Sequence, residues 1–459
     1  MKTTHELRAA FAKSLSKMYG TEVPAYNTLV DVATAVNADV MAADPERAER
    51  LGRIDRVTAE RHGAIRVGTG EELRQVAQIF AALGMSPVGF YDLRGEEATS
   101  LPIVSTAFRP TTPDALAINP FRVFTSTLVT DDRRYFDAGL QADLDAFLAR
   151  RQLFSPRLVE LGKRGEADGG LDDGDAEEFL RLATASFELS REPIDRAWYR
   201  RLTAISGVAA DIGGVPTTHI NHLTPRVLDI DDLYGRMEAL GIAMIDEIQG
   251  PPRWAGPDVL LRQTSFKALA EPRRFREPDG SVADGELSVR FGEVEQRGIA
   301  LTQPGRDLYD RLIGEIDVRS AGLSADEREA VKVDVWEANL PRTEDGLAQA
   351  GLAFFEYAAG DGRGGETVAE LVASGALVRT PIVYEDFLPR SAAGIFASNL
   401  DNSGSRDATL SGSHRDAAWL AEAMDRDVHD PMHLYADQSA ASLAKACAEL
   451  DIAVPEEGK

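Results

Sequence analysis

Two histidines of this chain occupy matching sequence contexts. His62, in "RHGAIRV", is followed four residues later by Arg66, and His222, in "NHLTPRV", is followed four residues later by Arg226. After each pair come a turn-like segment, an acidic helix start and an amphipathic run that ends in "ALGM" or "ALGI". The chain contains seven histidines, so the repeated placement of two of them indicates two copies of one unit. Imidazoles at equivalent positions of paired units are candidate metal ligands.

A carboxylate that could join the two histidines lies near the end of the second unit. The stretch "RFGEVEQRG" carries Glu293 and Glu295 on a segment typical of a strand. Two histidines and one carboxylate on rigid strands form the ligand set that leaves positions open on ferrous iron, so that substrate and O2 can both bind. The two glutamates are two residues apart and share one face of a regular strand, so periodicity does not choose between them.

His219 competes with His222 as a ligand. The two are three residues apart, which puts their side chains on opposite faces of an extended strand, so only one can reach the metal. We favour His222, because Arg226 reproduces the spacing of His62 and Arg66. We expect His219 to lie beside the ligands or at the edge of the site.

Two further features have more ordinary interpretations. His429 and His433, in "HDPMHLY", are four residues apart but lack the glutamate of a zinc protease, which favours a surface helix. Cys447 is the only cysteine and lies on an apolar helical face, so we predict a buried side chain. A single cysteine also excludes an internal disulfide and a thiolate metal cluster.

Three arginines are candidate contacts for an anionic substrate. A separation of four is even, so Arg66 shares a strand face with His62 if the strand is regular, and its guanidinium could grip a carboxylate bidentately. The alternative for Arg66 is a structural ion pair. Arg273 and Arg274, in "LAEPRRF", are candidates for a second contact.

Composition limits the classes of partner. The net charge of −25 and the pI near 4.8 argue against nucleic acid and against an anionic membrane surface. The N-terminal stretch "MKTTHELRAAFAKSLSKMYG" has no apolar signal core, and no run approaches the length of a membrane span. We therefore expect a cytoplasmic protein; the sequence leaves its oligomeric state open.

The order of predicted elements indicates an α+β protein. Each unit reads as strand, helix and further strands, and we expect two β-α-β-β-β modules that form a central curved sheet or barrel. An acidic, Gly-rich stretch, 162–178, reads as a solvated loop. The predicted regions are a helical N-terminal region (1–61), the first module (62–130), a helical insertion (131–214), the second module (215–305) and a mixed C-terminal region (306–459) that completes the pocket.

The paired units resemble the vicinal oxygen chelate superfamily. Within it, "RHGAIRVGT", "HINHLTPR", "LLRQTSFKAL", "FGEVEQRGIALT" and "FLPRSAAGIFASNL" resemble the bacterial 2-oxoadipate dioxygenase/decarboxylase family, also called 2-hydroxyglutarate synthase, over nearly the whole chain. "GEVEQR" is also similar to the final-strand motif of 4-hydroxyphenylpyruvate dioxygenase, in which a glutamate four residues before an arginine binds iron. That similarity favours Glu293 over Glu295.

The resemblance implies an Fe(II) enzyme of lysine breakdown that converts 2-oxoadipate and O2 to 2-hydroxyglutarate and CO2. It implies His62, His222 and Glu293 as metal ligands and Arg66 as the residue that binds the substrate carboxylate. It also implies that Ser391, in "PRSAAG", lines the substrate pocket. Arg390 departs from the small apolar residue expected beside it, which puts chain-length preference in doubt.

Two other classes remain open. An isomerase or lyase of the glyoxalase type would use Zn2+ or Ni2+ as a Lewis acid, although such enzymes generally need fewer residues. A non-catalytic protein that binds small molecules could be built on the same units, with histidines that only satisfy hydrogen bonds. Metal analysis and oxygen consumption with 2-oxoadipate distinguish these classes from a dioxygenase.

Overall fold

The computed structural model describes residues 1–95, 100–388, 399, 407 and 409–455. Helices and strands are mixed along the chain, and the strands form several sheets, so the predicted α+β class is confirmed. The helices are α1 (Thr4–Glu22), α2 (Pro24–Ala43), α3 (Pro45–Glu49), α4 (Ile54–Ala59), α5 (Gly70–Ala81), α6 (Pro113–Ile118), α7 (Ala138–Leu148), α8 (Pro156–Ala167), α9 (Asp173–Ser186), α10 (Arg196–Thr203), α11 (Gly207–Gly213), α12 (Ile230–Ala239), α13 (Gln303–Ser320), α14 (Ala325–Asn339), α15 (Glu344–Gln349), α16 (Val368–Ala373), α17 (Ala417–Met424) and α18 (Pro431–Glu449).

The strands of the two expected units are interrupted by helices α5 and α6 in the first unit and by α12 in the second. In chain order the strands are β1 (Lys2–Thr3), β2 (Arg61–Val67), β3 (Ser86–Asp92), β4 (Ile103–Arg109), β5 (Arg122–Leu128), β6 (Gly170–Leu171), β7 (Ile194–Asp195), β8 (His222–Pro225), β9 (Leu261–Phe266), β10 (Glu271–Arg276), β11 (Val282–Leu287), β12 (Gly292–Arg297), β13 (Phe355–Ala359) and β14 (Leu377–Pro381). Within the described ranges, none of the helices combines the length and the apolar composition needed to cross a bilayer.

Helix α5 shows how local sequence sets the elements of the first unit. Thr69 begins the helix, because its side chain accepts a hydrogen bond from the backbone N–H of Glu72. The apolar side chains of this helix recur at helical spacing and are buried against the sheet. Gly84 follows the helix with φ of +66°, a conformation that favours glycine, and ends it.

The largest sheet joins the two units. Its strand order is β3-β4-β5-β2-β8, so the four strands of the first unit are extended by the first strand of the second unit. β2 runs parallel to β5 and antiparallel to β8, with Ala64 opposite His222 and His62 opposite Thr224. A bridge between Arg226 and Glu295 then places β12 next to the end of β8. Strands β2, β8 and β12 are therefore consecutive neighbours.

The rest of the second unit is distributed over smaller sheets. β12 pairs with β9, whereas β10 and β11 form a hairpin that pairs with β7. Among the described strands no sheet closes on itself, so the structure shows several open sheets and not the barrel that we considered. The physical reason is that β8 has only four residues and that the hairpin of β10 and β11 pairs with β7, a strand of the helical insertion, and not with the main sheet.

One local expectation was wrong. The acidic, Gly-rich stretch 162–178 lies mostly in α8 and α9 and is not a loop. Gly162 is needed there because a Cβ would lie 2.8 Å from the carbonyl oxygen of Gln78, so glycine allows α8 to pack closely on α5. The stretch 110–120 contains the short helix α6, and 243–251 forms isolated bridges to β9.

The C-terminal region packs as its own core against the second unit. Trp336, Leu312 and Tyr435 are buried in this core together with residues of the segment that follows β12. Bridges from Ile299 to Val383 and from Leu301 to Ala353 attach the region to that segment. Cys447 is buried, as predicted.

Candidate metal centre

Three potential ligands meet on the three neighbouring strands. His62 lies on β2, His222 begins β8, and Glu293 lies on β12. Each is at most 4% exposed. One nitrogen or oxygen atom of each lies within 4.8 Å of the others, and this is the group of His, Cys, Asp and Glu side chains in the described residues that could hold a metal ion. The sequence argument selected these same three residues.

The distances suit one shared ion. Glu293 Oε2 lies 2.8 Å from His222 Nε2 and 3.3 Å from His62 Nε2. Two ligand atoms that are each about 2.1 Å from one metal, at right angles, are about 3.0 Å apart. Thr224 donates its hydroxyl to Glu293 Oε2 at 3.2 Å, which orients the carboxylate.

The hydrogen bonding of His222 also fits a ligand. Both of its ring nitrogens are buried without a hydrogen bond of good geometry, although Nε2 lies close to Glu293. A buried polar atom without such a partner is costly unless something binds it. Two imidazoles and one carboxylate are donors that suit Fe(II) and also Zn2+. The residues present therefore fit a divalent metal.

The pKa shifts of two of the three potential ligands suit metal binding. Burial lowers the pKa of His222, against the opposing charge of Glu293. Burial raises the pKa of Glu293, but His222 and His62 outweigh it and bring that pKa down to about 2. A neutral imidazole and an ionised carboxylate are the forms in which these side chains bind a metal. Burial lowers the pKa of His62 as well, but Glu295 and Glu293 outweigh it and the net shift is upward, so a metal must displace a proton from this ring.

Glu295 supports His62 from the other side of the ring. Its Oε2 lies 3.0 Å from His62 Nδ1, and Arg297 holds the same carboxylate bidentately, at 2.6 Å and 2.9 Å. A carboxylate at the second nitrogen fixes the orientation of a ligand histidine. The two glutamates that periodicity could not separate therefore contact opposite edges of one imidazole.

A buried ion-pair network continues from Arg297. Glu60 accepts hydrogen bonds from Arg122 and Arg226, the latter at 3.1 Å, and lies 3.2 Å from Arg297. Burial raises the pKa of Glu60, but the arginines outweigh it and the net shift is downward. One carboxylate thus compensates several buried guanidinium groups behind the three potential ligands.

We expect Glu60→Gln to lower the free energy of unfolding by about 3–5 kcal/mol, because it leaves buried arginines without their shared counter-charge. Denaturant titration measures this change. Glu71→Gln is the control, since Glu71 pairs with Arg74 on the surface and its loss should cost less than about 1 kcal/mol. If Glu60→Gln is as stable as wild type, the neighbouring glutamates, and not Glu60, balance the charge of the buried arginines.

The two arginines of the repeated pairs lie far apart. Strands β2 and β8 run in opposite directions. Arg66 follows His62 along β2, and Arg226 follows His222 along β8, so the two arginines lie on opposite sides of the histidines along the sheet. Arg226 therefore joins the network behind the histidines. Arg66 lies at the opposite end. The repeat brings the two histidines together and separates the two arginines.

Arg66 belongs to a second buried polar group. It donates from Nη1 to Asp211, and Asp211 also accepts from the side-chain amide of Asn221 at 3.0 Å. His219 Nε2 lies 3.1 Å from the same amide and 3.4 Å from Asp211. Burial lowers the pKa of His219 to about 4, and the charge of Arg66 acts in the same direction. His219 is thus a neutral neighbour of Arg66.

The other candidate substrate contacts are spread more widely. Arg273 and Arg274 line a cavity of about 480 Å³ together with Arg191 and Arg290. Burial is the main cause of the lowered pKa of His219, and the charge of Arg273 contributes to it, so Arg273 lies near the polar group of Arg66, Asp211 and His219. Arg274 is exposed and donates to the carbonyl oxygen of Arg191. Ser391 and Arg390 lie outside the described residues.

Two aromatic rings that the sequence argument missed pack on the histidines. Phe291 lies 5.1 Å from the His222 ring, and Phe387 lies 5.0 Å from the His62 ring, between centroids. Phe291 is adjacent to the "GEVEQR" motif and could have been inferred from it. Phe387 comes from the C-terminal region, more than 300 residues after His62, and no local pattern marks it. His429 and His433 are not part of the group.

Comparison with known proteins resolves the family. The profile of the 2-oxoadipate dioxygenase/decarboxylase family matches residues 11–399. The chain belongs to the 2-oxoadipate dioxygenase/decarboxylase family. It is 54% identical over 436 residues to the 2-oxoadipate dioxygenase/decarboxylase of Mycobacterium bovis, covering 94% of this chain and 96% of that protein. This confirms the resemblance inferred from the motifs and places the chain in an enzyme family.

More distant members of the family agree over similar lengths. The 2-oxoadipate dioxygenase/decarboxylase of Escherichia coli is 40% identical over 448 residues, which cover 94% of this chain and 96% of that protein. The crystal structure of hydroxyglutarate synthase from Pseudomonas putida in complex with 2-oxoadipate superposes with a TM-score of 0.85 at 38% identity. The superposition covers 98% of this chain and 99% of that chain. The family likeness therefore extends over the whole fold.

Proposed function

We propose that this protein is an Fe(II)-dependent dioxygenase that decarboxylates 2-oxoadipate, in lysine breakdown. In the balanced reaction, 2-oxoadipate and O2 give 2-hydroxyglutarate and CO2. The observation that carries the proposal is the buried group of His62, His222 and Glu293 on adjacent strands, in a chain of this family. Such a ligand set leaves positions for both the 2-oxo acid and O2.

We assign the metal to His62, His222 and Glu293. When bound, Fe(II) supplies the open positions and the electrons that the activation of O2 requires. Thr224 and Glu295 orient the ligands, through Glu293 and His62 respectively. The low exposure of the whole group excludes bulk water, which protects reactive species from side reactions.

We propose that Arg66 binds a carboxylate of the substrate. Its guanidinium is buried on the same strand as His62, four residues further along, which corresponds to about 13 Å of extended chain. A bidentate contact from a planar guanidinium fixes both the position and the orientation of a carboxylate. We propose Arg273 as a second contact for the substrate carboxylate, because it is near enough to the group around Arg66 for its charge to lower the pKa of His219.

The remaining assignments rest on the sequence argument. Arg274 and Ser391 complete the proposed substrate-binding set. We also propose that 62–130 and 215–305 are paired modules of the vicinal oxygen chelate type. In this arrangement 1–61, 131–214 and 306–459 are helical and mixed regions around the modules, and the protein acts in the cytoplasm on a small 2-oxo dicarboxylic acid and O2.

Loading the metal-free protein with Fe(II) under anaerobic conditions tests the function. On addition of O2 and 2-oxoadipate we expect consumption of one O2 per substrate, with 2-hydroxyglutarate and CO2 as products. Zn2+ should inhibit, because it occupies the same ligands without redox chemistry. Equal turnover with Zn2+ alone would refute the dioxygenase and favour an isomerase or lyase.

A further inference from the structure

We propose that Asp211 is a positioning residue that holds Arg66 in the orientation needed to bind the carboxylate of the substrate remote from the metal. The inference rests on the proposed function, in which Arg66 binds a carboxylate of a 2-oxo dicarboxylic acid. It adds a residue on a different element, helix α11, to the recognition of that acid.

The contacts around Asp211 show a side chain held from several directions. Oδ2 accepts from Arg66 Nη1 and from Asn221 Nδ2, the latter at 3.0 Å, and Oδ1 lies 3.4 Å from His219 Nε2. All four side chains are buried. Ser206 begins α11 by accepting from the backbone N–H of Ala209 at 3.1 Å, so the carboxylate projects from an anchored helix.

Asp211 stays ionised in this environment. Burial raises its pKa, but His219, Arg66 and Asn221 outweigh burial, so the net shift is downward. A buried guanidinium without a counter-charge is strongly destabilising. Asp211 therefore stabilises Arg66 in its buried position before any substrate arrives, and it contacts the Nη1 edge of the guanidinium.

The ion pair of Asp211 with Arg66 affects how a six-carbon diacid such as 2-oxoadipate binds. The 2-oxo-carboxylate end of the substrate faces the metal ligands, so the carboxylate at the other end is the one left for Arg66. An arginine already fixed by Asp211 loses little conformational freedom on binding that carboxylate. Without Asp211 the guanidinium must be ordered by the substrate itself, which weakens binding.

Asp211→Asn tests the inference, because it keeps the shape of the side chain and removes its charge. We expect KM for 2-oxoadipate to rise about tenfold or more, with kcat changed less than about threefold. Metal content should equal that of wild type. The affinity for 2-oxohexanoate, measured as substrate or competitive inhibitor, should stay the same, because this acid has a methyl group in place of the remote carboxylate.

A double-mutant cycle separates positioning from a general structural role. If Asp211 acts through Arg66, the double variant with Arg66→Met, which removes the guanidinium and its ion pair, should bind 2-oxoadipate about as weakly as Arg66→Met alone. Asp132→Asn is the matched control, since Asp132 is also a buried carboxylate, paired with Arg94 and Arg134. Its KM for 2-oxoadipate should equal that of wild type.

The outcomes distinguish the two levels of the proposal. A metal-loaded wild type that neither binds nor converts 2-oxoadipate would refute the proposed function and, with it, this inference. An active wild type with an unchanged or lower KM in Asp211→Asn, or with additive effects in the cycle, would overturn the inference alone. If Asp211→Asn does not fold, Asn221→Ser removes one donor to the same oxygen. An unchanged KM in that variant also overturns the inference.

Discussion

Glu293→Gln is expected to abolish stoichiometric iron binding and turnover, whereas Glu295→Gln is expected to retain iron and lose less activity. Glu293 offers the oxygen that lies nearest to both imidazoles, at 2.8 Å from His222 and 3.3 Å from His62. An amide is a much poorer ligand than a carboxylate for a divalent cation, so this substitution removes one of the three proposed protein ligands. Iron content of the two purified variants measures the difference.

The milder effect at Glu295 follows from its place behind His62. Its carboxylate contacts Nδ1 and is held bidentately by Arg297, so in the proposed site it orients His62 and does not approach the position shared by the three proposed ligands. Loss of such a partner typically weakens metal affinity or activity by about 10–100-fold. At saturating iron the variant should therefore still bind one ion. The reverse pattern, with iron lost only in Glu295→Gln, would make Glu295 the ligand.

Arg66→Lys is expected to weaken the apparent binding of 2-oxoadipate by about 1–3 kcal/mol, or about 5- to 150-fold. Lysine keeps the charge, and with it an ion pair to Asp211, but loses the planar fork that binds a carboxylate bidentately. Metal content should stay near that of wild type. Steady-state kinetics and iron analysis on one preparation provide both measurements.

The chain offers a control at the same sequence spacing. Arg226 follows His222 as Arg66 follows His62, yet it pairs with Glu60 in the network behind the ligands. In the fraction of Arg226→Lys that folds, the affinity for 2-oxoadipate should therefore be unchanged. If Arg66→Lys instead loses its metal or unfolds, Arg66 is a structural partner and does not recognise substrate.

The sequence by itself determined the family, the mixed class of the fold and the identity of the three residues that meet. These features depend on short patterns. The repeat around His62 and His222, the "GEVEQR" motif with Glu293, and the periodicity and cap of α5 can each be recognised within about twenty residues. The burial of Cys447 follows from the same kind of local pattern.

Contacts made by residues distant in the sequence were decided by the tertiary structure alone. The antiparallel pairing of β2 with β8 sends Arg66 and Arg226 in opposite directions, although their spacing is identical. Close packing of α8 on α5 converts a loop-like, Gly-rich stretch into helix, because a glycine there admits the neighbouring backbone. Asp211 and Phe387 reach the site from α11 and from the C-terminal region. Periodicity encodes which face a residue occupies, whereas partners depend on strand direction and packing, which are properties of the assembled chain.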